Sequence, residues 1–127
     1  MRSLAHGIDL VEVARIREML DRHPERFLER VFTPAEAAYA KDHQRYAEHL
    51  AARFAAKEAV LKALGTGWSG GVAWTDIEVC RESTGQPTIR LSGHAATLAT
   101  SQGITSWRIS ISHTGELAMA SVIAIGE

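Results

Sequence analysis

The chain has 127 residues, 46% hydrophobic and 23% charged, with a formal net charge of −1. That size fits one domain, 1–127, with a modest core, and the charge supplies no global field for nucleic acid, so an anionic partner must be met by a local basic patch. A single cysteine, Cys80, excludes an intramolecular disulfide and a CxxC metal site.

The segment Ser3 to Ile8 is short, mostly apolar and ends at Asp9, so it reads as a strand. Neither a secretory leader nor a membrane span is expected in MRSLAHGIDLVEV, and a cytoplasmic setting follows by default. Glu12 to Arg22 reads as a helix with Val13, Ile16, Met19 and Leu20 on one face, stopped by His23-Pro24. Phe27 to Phe32 forms a short second turn or helix. Thr33-Pro34-Ala35-Glu36 is a helix start: Thr33 as N-cap, Pro34 in first position and Glu36 closing a capping box, with the helix running to about Lys41.

Arg45 to Leu64 is a long alanine-rich helix closed by Gly65. At about 100° per residue, Leu50, Phe54, Lys57, Leu61 and Leu64 share one face. A lysine in that stripe must snorkel out or find an anion, because an unpaired buried ammonium is costly. Glu58 precedes Lys62 by one turn, a spacing that by itself is most often a surface ion pair. Two glycines, Gly65 and Gly67, then flank Thr66, and Trp68 to Gly71 reads as a loop.

Beyond Val72 the period shortens. Val72, Trp74, Ile77 and Val79, then Thr88, Ile89 and Leu91, suggest two strands joined at Ser83-Thr84-Gly85-Gln86. Ser92 caps a helix through about Ser101. Trp107, Ile109 and Ile111 alternate with polar residues, His113 to Glu116 turns the chain, and Leu117 to Ile125 reads as a buried strand. Helices followed by an antiparallel meander with one helix inserted predict an α+β fold, its sheet packed against the long helix and shorter helices.

Six blocks in one order resemble the holo-[acyl-carrier-protein] synthases: GIDLVEVARI (Gly7 to Ile16), FTPAE (Phe32 to Glu36), RFAAKEAVLKALGTG (Arg53 to Gly67), DIEV (Asp76 to Val79), GQP (Gly85 to Pro87) and SISHTGELAMASV (Ser110 to Val122). These enzymes are the small, single-lobe branch of the 4′-phosphopantetheinyl transferases. The resemblance runs from about Leu4 to the C-terminus. It implies an enzyme that moves the phosphopantetheine arm of coenzyme A to a serine of apo acyl carrier protein, releasing adenosine 3′,5′-bisphosphate, in fatty acid or polyketide biosynthesis. It also implies Mg²⁺, and a homotrimer with active sites at subunit interfaces.

Carried over residue by residue, the resemblance makes Asp9 and Glu58 the metal carboxylates, and Glu58 and Lys62 catalytic. Coenzyme A would meet Arg53, Lys57, Lys62, Gly65, Gly67, Ser112, His113 and Thr114, with His113 able to donate to the 3′-phosphate if charged or to another oxygen if neutral, a role as general base being the less favoured alternative. For Lys57 two roles stay open, a phosphate contact or a carboxylate pair. The serine proton goes either to Glu58 or to a water on the metal. The two-lobed branch carries a second acid where this chain has Val11. Arg15 matches a carrier-binding position, and Arg22, seven residues further along the same helix face, extends it by spacing. Trp68 stands where smaller aliphatics are frequent in relatives, a candidate to narrow the pocket or to pack at a subunit boundary. Two other classes compete: a non-catalytic binder of coenzyme A or carrier, and a metal-dependent phosphohydrolase.

Overall fold

The computed structural model describes residues 1–127 apart from the side chains of Trp68 and Ser69, so the expectation placed on Trp68 lies outside the described residues. The chain runs β1 (Arg2–Glu12), α1 (Val13–Arg22), α2 (Pro24–Val31), α3 (Pro34–Lys41), α4 (Tyr46–Leu64), β2 (Ile77–Arg81), β3 (Pro87–Leu91), α5 (Gly93–Ser101), β4 (Ile104–His113) and β5 (Leu117–Gly126). The α+β class is as expected. In place of one meander, however, there are two antiparallel ladders: a three-stranded sheet ordered β1-β5-β4 and a separate β2-β3 hairpin. Strand β1 also continues past Asp9, because β5 offers it partners as far as Glu12, which faces Leu117. The loop expected from Trp68 is in its first part a 3-10 turn over Gly67–Gly70. The strand expected from Val72 begins only at Ile77, after a second 3-10 turn over Trp74–Asp76.

Helix α4 is the axis of the molecule. Buried residues occur on every side of it, as an all-round small and apolar surface requires. Its alanines Ala51, Ala55, Ala56 and Ala59 are fully buried, and so are Ala118, Ala120, Val122 and Ala124 on one side of β5. Small side chains on both elements let helix and sheet approach closely. The approach is tightest at Gly7 of β1, where a Cβ would lie 1.9 Å from the carbonyl oxygen of Ala59. Only glycine fits there.

Strand β5 is buried on one face, so the expectation of a buried strand holds for that face alone. Leu117, Met119 and Ile123 point the other way and, with Ile8 and Leu10 of β1, leave an exposed apolar face on the sheet. On α1, Val13 and Ile16 are buried as expected, whereas Met19 is exposed. The capping box of α3 is present in full: Thr33 Oγ1 accepts from the Glu36 amide at 3.2 Å, and Glu36 Oε1 accepts from the Thr33 amide at 2.9 Å.

Candidate functional site

Strand alternation puts Asp9 on the same side of β1 as buried Gly7 and Val11, the side that meets α4. The close crossing at Gly7 and Ala59 brings the next turn of α4 against this stretch of strand. Lys62 then reaches Asp9 Oδ1 at 3.0 Å and also donates to the Ile8 carbonyl at 3.0 Å. The Lys62 side chain is half exposed and that of Asp9 is largely covered. The fold thus unites an acid and a cation from 53 positions apart in the chain. Glu58, half-buried, stands one turn before Lys62 on the same helix. Spacing alone suggested only a Glu58–Lys62 helix pair.

Among the described residues no group of three or more His, Cys, Asp or Glu side chains could hold a metal ion by itself. A site of one or two carboxylates that takes its further oxygens from elsewhere suits Mg²⁺, which keeps waters and accepts substrate phosphate oxygens as ligands. The residues present therefore fit the ion that the resemblance implies.

Gly65 closes α4 in the left-handed region at φ 81°, and Gly67 follows at φ 57°. They turn the chain sharply beyond Lys62, and a side chain at either position would strain the backbone.

Of the two roles open to Lys57, the structure forms the carboxylate pair, which corrects its expectation as a coenzyme A contact. Its ammonium is fully buried, lies 2.8 Å from Glu36 Oε1 and donates to the Trp74 carbonyl at 3.0 Å and to the Ile77 carbonyl. These partners use all of its donors and leave none for a phosphate. Glu36 in turn accepts from the Val79 amide at 2.8 Å through its other oxygen. The capping-box acid is the anion that the apolar-stripe lysine required. Burial pulls the Lys57 pKa down, and Glu36 opposes that shift.

Arg53 is likewise closed in, only 1% exposed, with its guanidinium 4.2 Å from the centre of the Tyr39 ring. Its pKa is lowered by burial and by the nearby Arg81, and raised by Tyr39 and Glu36. Its place in the chain sets it about 180° around α4 from Lys62 and roughly 13 Å along it. These two expected contacts therefore do not converge within one chain.

His113 ends β4 near the opposite end of α4 from Lys62. Its Nδ1 lies 2.9 Å from Glu48 Oε1, and its ring packs edge-on against His49 at 5.2 Å. His43 packs on His49 in turn, at 4.3 Å. Burial first, then His43 and His113, lower the His49 pKa to about 4. Ser112 is exposed beside His113. Thr114 is exposed too, but its hydroxyl accepts from the amides of Glu116 and Leu117, both at 3.1 Å, and so shapes the β4–β5 turn. Sequence reasoning missed Glu48; its one signal was its place in the first turn of the helix that carries Glu58 and Lys62.

Arg15 and Arg22 are both exposed on α1. The Arg15 guanidinium lies 5.4 Å from the centre of the Phe54 ring, which anchors it to α4. Arg22 is engaged by Glu18 at 3.1 Å.

Residues 5–121 match the family described as the 4′-phosphopantetheinyl transferase superfamily. A holo-[acyl-carrier-protein] synthase from Koribacter versatilis (strain Ellin345) is 50% identical over 120 residues, covering 94% of this chain and 96% of that protein. The crystal structure of the holo-[acyl-carrier-protein] synthase from Neisseria meningitidis superposes with a TM-score of 0.88 at 30% identity, covering 98% of this chain and 99% of that one. The Helicobacter pylori holo-[acyl-carrier-protein] synthase in complex with coenzyme A gives 0.83 at 34% identity, covering 94% and 99%. Sequence and fold agree along nearly the whole length, and the chain belongs to the 4′-phosphopantetheinyl transferase superfamily, in its holo-[acyl-carrier-protein] synthase branch.

Proposed function

We propose that this chain transfers the 4′-phosphopantetheine arm of coenzyme A to a serine of apo acyl carrier protein, leaving adenosine 3′,5′-bisphosphate. The observation that carries the reading is the Asp9–Lys62 contact at the crossing of β1 and α4, with Glu58 one turn away. The relatives named above are holo-[acyl-carrier-protein] synthases, one of them holding coenzyme A.

The reaction asks the site to steady a pyrophosphate while one P–O bond forms and another breaks, so positioning and charge neutralisation dominate. Asp9 and Glu58 would hold Mg²⁺, which when bound neutralises pyrophosphate charge. Lys62, half exposed and aimed at Asp9, can donate to phosphate oxygens and to the departing bisphosphate. For the serine proton Glu58 is this chain's own candidate base, a water being the alternative. The turn at Gly65 and Gly67 brings backbone to the same place. On the far side, His113 and Ser112 meet the nucleotide. Arg15, held over Phe54, faces the acidic carrier, with Arg22 extending that face.

Lys62 and the Glu48–His113 pair lie roughly 20 Å apart along α4. One coenzyme A that meets both clusters is served best by two neighbouring chains. The exposed apolar face of Ile8, Leu10, Leu117, Met119 and Ile123 is surface that such an assembly would cover, and we assign it to a homotrimer. No described helix is long and apolar enough to cross a membrane. The reading places the enzyme in the cytoplasm.

The test is intact mass spectrometry of apo acyl carrier protein incubated with this protein, coenzyme A and Mg²⁺, with an EDTA control. The expected result is a mass gain of one phosphopantetheine arm that EDTA abolishes. Coenzyme A bound without any gain on the carrier would support a binding module instead, and coenzyme A cleaved without carrier a hydrolase.

A further inference from the structure

Glu48 is a buried carboxylate to which the transfer just described gives no role of its own. Its side chain is 7% exposed, yet both of its oxygens are engaged. Oε1 lies 2.9 Å from His113 Nδ1, and Oε2 lies 3.8 Å from Arg45 Nε. The partners come from different elements, the end of β4 and the residue that opens α4.

The histidine is held from a second side as well. The His49 ring packs edge-on against it, backed by the His43 ring. His43 is tied by its own Nδ1 to the Tyr39 carbonyl at 2.7 Å. His113 therefore has one ring nitrogen committed to a carboxylate and one side committed to a ring stack. A hydrogen bond at one imidazole nitrogen decides what the other can do. With Nδ1–H donated to Glu48, Nε2 is the nitrogen left for a ligand. In the imidazolium form that nitrogen donates, and the ring is then neutralised by Glu48 behind it and by an anion in front.

We propose that Glu48 is a positioning residue for coenzyme A. By accepting from Nδ1–H it fixes the orientation of His113, so that Nε2, when it carries a proton, donates to the 3′-phosphate, and it gathers the Arg45 guanidinium to the same rim. The inference rests on the proposed coenzyme A contact of His113. A purely structural role for Glu48, as an acid in the first turn of α4, would alter stability and leave substrate discrimination unchanged.

The experiment compares the wild type with Glu48→Ala, Glu48→Gln and His113→Ala. Each is assayed for transfer with coenzyme A and with dephospho-coenzyme A, which lacks the 3′-phosphate. The His113 ring nitrogens are followed by long-range ¹H–¹⁵N correlation. In Glu48→Ala the Nδ1–H form should no longer dominate. The KM for coenzyme A should rise about tenfold, the worth of one charge-assisted hydrogen bond, with kcat nearly unchanged and no change for dephospho-coenzyme A. Glu48→Gln, whose amide oxygen still accepts, should recover most of the loss. Equal effects on both donors, or an Nδ1–H form that persists in Glu48→Ala, would overturn the proposal. So would a raised KM in His113→Ala that Glu48→Ala fails to share. If His113→Ala leaves the coenzyme A KM unchanged, the contact itself is refuted and the proposal falls with it. Transfer absent from the wild type with both donors would instead overturn the function on which the proposal rests.

Discussion

Lys57 and Glu36 form an ion pair at 2.8 Å with neither side chain exposed to solvent, joining α4 to the first turn of α3. Every donor of the ammonium and both oxygens of the carboxylate are satisfied, the latter by Lys57 and the Thr33 and Val79 amides. Removing one partner strands a buried charge. Lys57→Met should therefore destabilise the fold by about 3–5 kcal/mol, and Glu36→Gln combined with it should recover part of that loss. Denaturant unfolding of the single and double variants checks this; additive losses would show that the two side chains do not act as a pair.

Gly7 controls how α4 meets β1. A methyl group there would run into the Ala59 carbonyl at 1.9 Å, a backbone atom that can move only with its helix. Gly7→Ala should cost about 1–3 kcal/mol or more and should impair transfer beyond the loss of folded protein, because Asp9 and Lys62 meet across the same crossing. Thermal melting and activity per folded molecule measure the two effects separately.

Asp9→Asn and Glu58→Gln should abolish Mg²⁺-dependent transfer while leaving the melting temperature close to that of the wild type. Both side chains lie at the edge of the core rather than within it. Titration of free Mn²⁺ by its electron paramagnetic resonance signal, with coenzyme A present, provides a readout independent of turnover. Undiminished Mn²⁺ uptake by both variants would remove the carboxylates from the metal site.

Arg15→Glu should raise the carrier KM and weaken its dependence on salt, with kcat for bound carrier little changed, since exposed charges at a docking rim act mainly on encounter. The guanidinium also packs against Phe54, so Arg15→Lys serves as a control that keeps the charge. A carrier KM that stays constant in Arg15→Glu would take α1 out of the docking face.

The depressed pKa of His49 makes stability depend on pH in a definite direction. Burial and the neighbouring His43 and His113, with Arg53 and Arg81 beyond, lower it from an ordinary 6.5 to about 4. Between those values the unfolded chain binds the proton more readily than the folded one. The contribution is thus whole above pH 6.5 and is lost as pH falls toward 4. His49→Phe should flatten the fall in unfolding free energy over that window; an identical slope in both proteins would show that other groups dominate acid unfolding.

Much of the fold is legible from local pattern. The capping box at Thr33 and Glu36, the left-handed stop at Gly65 and the two-residue alternation of β4 are properties of short segments, set by backbone hydrogen bonding and steric limits that neighbours in sequence already fix. The six blocks likewise singled out Asp9, Glu58 and Lys62 as candidates. Strand pairing was less legible: whether the late strands form one sheet or two depends on which edges meet in space, and β1, the strand furthest from them in sequence, pairs with β5.

The sequence by itself determined most element types, the main helix ends, the family and the candidate carboxylates, because these depend on residue identity at fixed local spacing. Only the tertiary structure decided which charges are spent within the chain and which stay available. Lys57 was open to a phosphate or a carboxylate until Glu36, brought in from another helix, claimed it; Lys62, of the same residue type and on the same helix, remained half exposed against Asp9. The physical reason is that a charge's role depends on its desolvation and its nearest opposite charge, and both are set by contacts between segments far apart in sequence.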